Sequence, residues 1–95
     1  MSEPQSFQQN PNVLFTELDD GTGVLLHLDT KFYFALNKTG VFVWKALREG
    51  PARSAPALAK KLTETFRVDS ETATRDIASI LADMLADDLL LPASP

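Results

Sequence analysis

The sequence contains no cysteine and a single histidine, His27. Without thiols the chain cannot hold a disulfide, a thiolate zinc site or an iron–sulfur cluster, and one imidazole cannot build a histidine-rich metal site. No cofactor is expected, and any redox or radical chemistry must belong to a partner. Also missing is any apolar run approaching the roughly 20 residues that span a bilayer. Residues Met1 to Asn10 lack the basic-then-apolar order of a signal peptide, so a cytoplasmic location without membrane contact is expected. Cations are scarce: 9 Lys and Arg against 13 Asp and Glu leave a net charge of −4. Nucleic-acid affinity rests mainly on cation-to-phosphate contacts, so this balance argues against nucleic acid as a ligand. The patterns GxSxG, HExxH and GxxxxGK[ST] are absent too. In a chain too short to shape a deep pocket, those absences point away from an enzyme.

What is present is 95 residues, 44% hydrophobic and 23% charged, enough for one domain with a modest core. Residues 1–12, rich in Gln, Asn, Ser and Pro, are expected to form a flexible arm, and residues 92–95 a flexible tail. The domain between them, 13–91, changes period once, near Asn37, from strand-like to helix-like. Val13 to Leu18, Val24 to Leu28 and Phe32 to Leu36 are β-branched or aromatic segments separated by Asp19-Asp20-Gly21-Thr22-Gly23 and Asp29-Thr30-Lys31, which predicts a three-stranded antiparallel meander. Alternation places Phe32, Phe34 and Leu36 on one face of the third strand, with Tyr33 and Ala35 on the other.

Three helices are expected to follow. Asn37 or Thr39 can cap the first, which carries Val41 to Leu47 and stops at Gly50-Pro51. The second starts near Ser54 with Pro56 in its first turn and repeats Leu58, Leu62 and Phe66 at spacing four. The third runs from about Ser70 to Asp87, after which Leu89 to Leu91 closes the domain as an extended segment. The fold class is α+β.

Two features exceed what a small α+β core requires. Wound at about 100° per residue, the third helix spreads its apolar side chains over roughly 160°, more than the 100° of one core-facing stripe. The surplus either packs on the sheet or a dimer mate, or lines a groove through Thr74, Ala78, Leu81 and Leu85. The consecutive aromatics Phe32, Tyr33 and Phe34 are the second feature. They serve either as plain sheet core with one surface tyrosine, or as part of an edge strand whose unpaired N–H and C=O groups accept an extended peptide. Asp76, Asp83 and Asp87 fall on one side of the third helix, near Ile80, as a solvated stripe or as an attractor for a basic peptide. His27 is given no role, and Trp44 reads as a core anchor.

The stretch Leu36-Asn37-Lys38-Thr39-Gly40, followed by an apolar helix with Trp44 and then Gly50, resembles the PqqD family, the prototype of the recognition elements of ribosomally made, modified peptides. Leu58-Ala59, Leu62, Asp76-Ile77, Leu81 to Leu85 and Asp88-Leu89-Leu90 agree in spacing, so the likeness runs from about Val13 to Leu91. It implies a three-stranded sheet packed on a winged-helix-like trio. It further implies a non-catalytic adaptor that binds the leader of a precursor peptide on the third strand, in the cleft against the third helix. The binding strand carried over is Lys31, Phe32, Tyr33, Phe34, Ala35 and Leu36. For the opposing wall, the helical wheel rather than a family motif nominates Thr74, Ile77, Ala78 and Leu81. The implied partner is a modifying enzyme, of radical S-adenosylmethionine type or a leader peptidase. Two alternatives remain open: a winged-helix DNA-binding regulator, and a structural homodimer or scaffold.

Overall fold

A computed structural model describes residues 5–49 and 53–93 of the chain. Five strands and three helices follow in the order β1 (Ser6–Gln9), β2 (Val13–Glu17), β3 (Gly23–His27), β4 (Tyr33–Leu36), α1 (Lys38–Glu49), α2 (Ala55–Thr65), α3 (Ser70–Ala86) and β5 (Leu90–Ala93). β2, β3 and β4 form the expected antiparallel meander, in that spatial order. Its register sets Val13 opposite His27, Phe15 opposite Leu25, and Leu25 opposite Phe34.

Local chemistry explains both turns. Between β2 and β3, the Asp20 carboxylate accepts from the Thr22 hydroxyl and amide, and Gly21 takes a left-handed φ of 88° that a side chain would resist. The Thr22 bonds hold the Asp20 carboxyl below its usual range. Gly23 is not a turn residue. It sits inside β3, where a Cβ would come within 2.7 Å of the Phe15 ring and 3.1 Å of Val41. The turn into β4 closes with the Lys31 amide donating to His27 O at 2.8 Å, Lys31 itself being left-handed at φ 67°.

Each helix opens on a side-chain acceptor. Of the two candidate caps for α1, Asn37 is used, its Oδ1 accepting from the Gly40 amide at 2.8 Å. Ser54 caps α2 with Pro56 in the first turn, and Asp69 caps α3 through the Thr72 amide. Bonds from Thr72 depress the Asp69 carboxyl. The Gly50-Pro51 stop expected after α1 lies outside the described residues, but Arg53 Nη1 reaches Leu47 O at 3.0 Å and satisfies one of that helix's terminal carbonyls. α3 ends with Asp88 in the left-handed region and paired bonds from Asp88 N to Leu85 O and from Leu89 N to Met84 O, the Schellman arrangement built on Asp instead of Gly. Trp44, Leu25, Leu47, Leu58, Leu62, Ile77 and Leu90 are the largest fully buried apolar side chains, and they join sheet to helices in a single core.

Both ends of the domain depart from expectation. Ser6–Gln9 lies within the stretch expected to be a flexible arm, yet it forms β1 and pairs antiparallel with β5, Phe7 opposite Pro92. Pro92 and Ala93, expected in the tail, belong to β5. Polar composition hides this because one apolar anchor suffices: Phe7 is 6% exposed. Amides do the rest. Gln9 Nε2 donates to Trp44 O at 2.7 Å, and the buried Asn10 donates to Asp88 O at 2.8 Å. Residues 1–4, 94 and 95, the remainder of the expected arm and tail, lie outside the described residues.

Candidate functional site

β4 borders β3 on one side only; among the described residues its other edge pairs with no strand. Which groups that edge offers follows from the ladder. The His27 amide donates to Phe32 O at 3.0 Å. Hydrogen-bonded pairs alternate along an antiparallel ladder, so Phe34 and Leu36 turn their N–H and C=O toward β3. Tyr33 and Ala35 turn theirs outward. The same alternation leaves the Tyr33 and Ala35 side chains exposed and half-buries Phe34 and Leu36.

The outward edge opens onto a groove of about 650 Å³ between β4 and the C-terminal half of α3. Phe34, Leu36, Ile80, Met84 and Leu89 give it an apolar lining, and Tyr33, Asn37, Asp83 and Asp87 supply its polar groups. Gly40 lies at its base, where a Cβ would press within 3.2 Å of Leu36. On α3 the lining residues Ile80, Asp83, Met84 and Asp87 recur at intervals of three and four, a single stripe.

That stripe is not the nominated wall. Ile77 and Leu81 are buried in the core, and Thr74 and Ala78 are exposed and do not line the groove. At about 100° per residue, Ile80, Asp83 and Asp87 occupy one flank of the core stripe while Thr74, Ala78 and Leu85 occupy the other. The wheel shows two flanks, and only the packing of α3 against the sheet decides which one faces β4. The acidic side noted in the sequence marks the flank that does. On the strand, Phe32 does not share a buried face with Phe34 and Leu36; it is 65% exposed because β4 begins one residue later, after the left-handed Lys31. Lys31 and Phe32 lie just outside the groove lining. Met84, Leu89, Asn37 and Gly40 line the groove without having been nominated for it.

His27, given no role from sequence, ties the groove's two walls together. It is 1% exposed. Its Nδ1 accepts from the amides of Asp29 and Thr30 at 3.2 and 3.4 Å, so Nε2 carries the proton and donates to Asp88 Oδ2 at 3.1 Å. One imidazole thereby fastens the turn that launches β4 to the end of α3. Asn10 joins the same network through Asp88 O, adding β1 to the anchorage.

A family model described as coenzyme PQQ synthesis protein D (PqqD) matches residues 22–90. The chain belongs to the PqqD family. The match begins at the turn before β3 and ends in β5, so it takes in β4, the groove and α3. No curated protein sequence matches the chain. Two solved structures resemble this PqqD-family domain over nearly its whole length. "TbiB1 in Complex with the TbiA(beta) Leader Peptide" is 26% identical with a TM-score of 0.79, covering 93% of this chain and 99% of that one. "Lasso peptide synthetase B1 complexed with the leader peptide" is 28% identical with a TM-score of 0.76, covering 92% and 99%.

Proposed function

We propose that the chain is a non-catalytic adaptor that takes the leader of a ribosomally made precursor peptide as an added strand on β4 and presents it to a separate modifying enzyme in the cytoplasm. The unpaired outer edge of β4, opening onto an apolar groove, carries this reading: Tyr33 and Ala35 offer four main-chain groups to an extended guest, and the groove receives its alternate side chains. Both similar structures hold a leader peptide. The binding residues in this reading are Tyr33 to Leu36 on the strand and Ile80, Asp83, Met84 and Asp87 on the helix. The partner enzyme is of radical S-adenosylmethionine type or a leader peptidase. A DNA-reading role for α3 is poorly supported, since its one cation, Arg75, pairs with Glu71 at 3.2 Å. Among the described residues no helix is long and apolar enough to cross a membrane.

Amide exchange tests the proposal through the alternation along β4. In the free protein the Phe34 and Leu36 amides exchange slowly and those of Tyr33 and Ala35 quickly. Saturation with a synthetic precursor leader is expected to protect Tyr33 and Ala35. A saturating leader that leaves both unprotected removes strand addition at this edge. Sedimentation velocity with and without leader separates peptide capture from self-association of two copies through the same strand.

A further inference from the structure

Among the described residues, Asp83 and Asp87 are the only charged ones lining the groove. Neither takes part in an ion pair among the described residues, where the two such contacts are Lys45–Glu17 and Arg75–Glu71. They also stand where a helix resists them. The C-terminal end of a helix carries the negative pole of its macrodipole, and α3 has no basic residue in its last turn to compensate. For α3 alone, a neutral or basic residue at either position is the better choice.

We propose that these two carboxylates select the guest: the leader that fits this groove carries a lysine or arginine two residues from an apolar side chain. The proposal rests on the strand-addition reading above. In an extended guest, side chains two positions apart point the same way, about 6.5–7 Å apart. One of them can enter the apolar lining formed by Phe34, Leu36, Ile80 and Met84 while the next same-side residue brings its cation to Asp83 or Asp87. Those two carboxylates sit one turn apart, about 6 Å along the helix. Docking removes water from the pair, so the contact gains over a freely exposed one. The partner class this names is a basic, extended peptide, complementary to a chain of net charge −4.

A display library of random dodecamers, selected on the full chain and on the Asp83→Asn/Asp87→Asn variant, tests this. From the wild type the selected pool is expected to be enriched in Lys or Arg at a fixed two-residue spacing from an apolar residue; the variant pool keeps the apolar position and loses the basic one. Replacing that Lys by Gln in one selected peptide is expected to weaken binding to wild type roughly fivefold per lost carboxylate contact, to leave binding to the variant unchanged, and to lose its effect at high salt. The variant is also expected to melt above the wild type, which separates lost selectivity from lost folding. Peptides that protect the Tyr33 and Ala35 amides without any preference for Lys or Arg overturn the charge selection and leave strand addition standing. If no selected peptide protects those amides, strand addition falls and the charge selection with it.

Discussion

A single buried imidazole illustrates how much one residue can hold. His27 satisfies two turn amides and a carboxylate from opposite sides of the groove. Replacing it with Phe keeps the volume, strands the two turn amides and leaves the exposed Asp88 carboxylate to water, which is expected to cost about 1–3 kcal/mol, read as a lowered urea midpoint with an unchanged slope. Loss of the tether should also weaken leader binding beyond the stability effect, because the two walls are then free to part. Nothing near His27 in sequence announces this role, since Asp88 lies 61 residues downstream. A lone histidine in a strand gives no sign of what the far end of another element will bring to it. Gly23 was equally opaque. It reads as turn chemistry, whereas the absence of its side chain leaves the space that Phe15 and Val41 need beneath the sheet.

At the scale of the elements, β4 and α3 each make a prediction. Proline at Ala35 removes an outward N–H and spares the ladder to β3, so Ala35→Pro is expected to remain folded and to bind leader about tenfold more weakly by calorimetry, the value of roughly one hydrogen bond. Phe34→Pro breaks an inward bond and should unfold the sheet, seen as loss of near-ultraviolet circular dichroism. On α3 the Asp69 cap titrates below its ordinary value of 3.8 because Thr72 donates to the carboxylate. Its contribution is therefore complete above that pH and is lost as pH falls through the lowered value. Asp69→Asn retains a cap acceptor without the titration, so its acid unfolding limb should be shallower than that of the wild type in a pH series of thermal melts. The meander strands, the helices and the caps at Asn37 and Ser54 were legible because each is written in adjacent residues: Asn37 before Gly40, Ser54 before Pro56, alternation in β4. The groove wall was only half legible. Periodicity reveals how wide the apolar arc of α3 is, but the choice between its flanks belongs to docking, which no local pattern encodes.

For the molecule as a whole, the pairing of β1 with β5 is the feature that composition concealed most completely. Long-range partners make a strand out of a segment that is too polar to order itself, and Phe7 supplies the burial. Phe7→Ala is expected to cost about 3 kcal/mol and to lower the melting temperature, with residues Ser6–Gln9 then exchanging their amides freely. A smaller effect would mean that the β1–β5 ribbon is not part of the cooperative unit. The same ribbon sets Ser6 directly across from Ala93, so the polypeptide enters and leaves the fold at one doorway. A module with that geometry can be grafted into a surface loop of a much larger enzyme without prising the host apart. Its two ends can equally be bridged by a few glycines and the circle reopened at the Asp19–Asp20 turn, leaving β4 and its groove untouched.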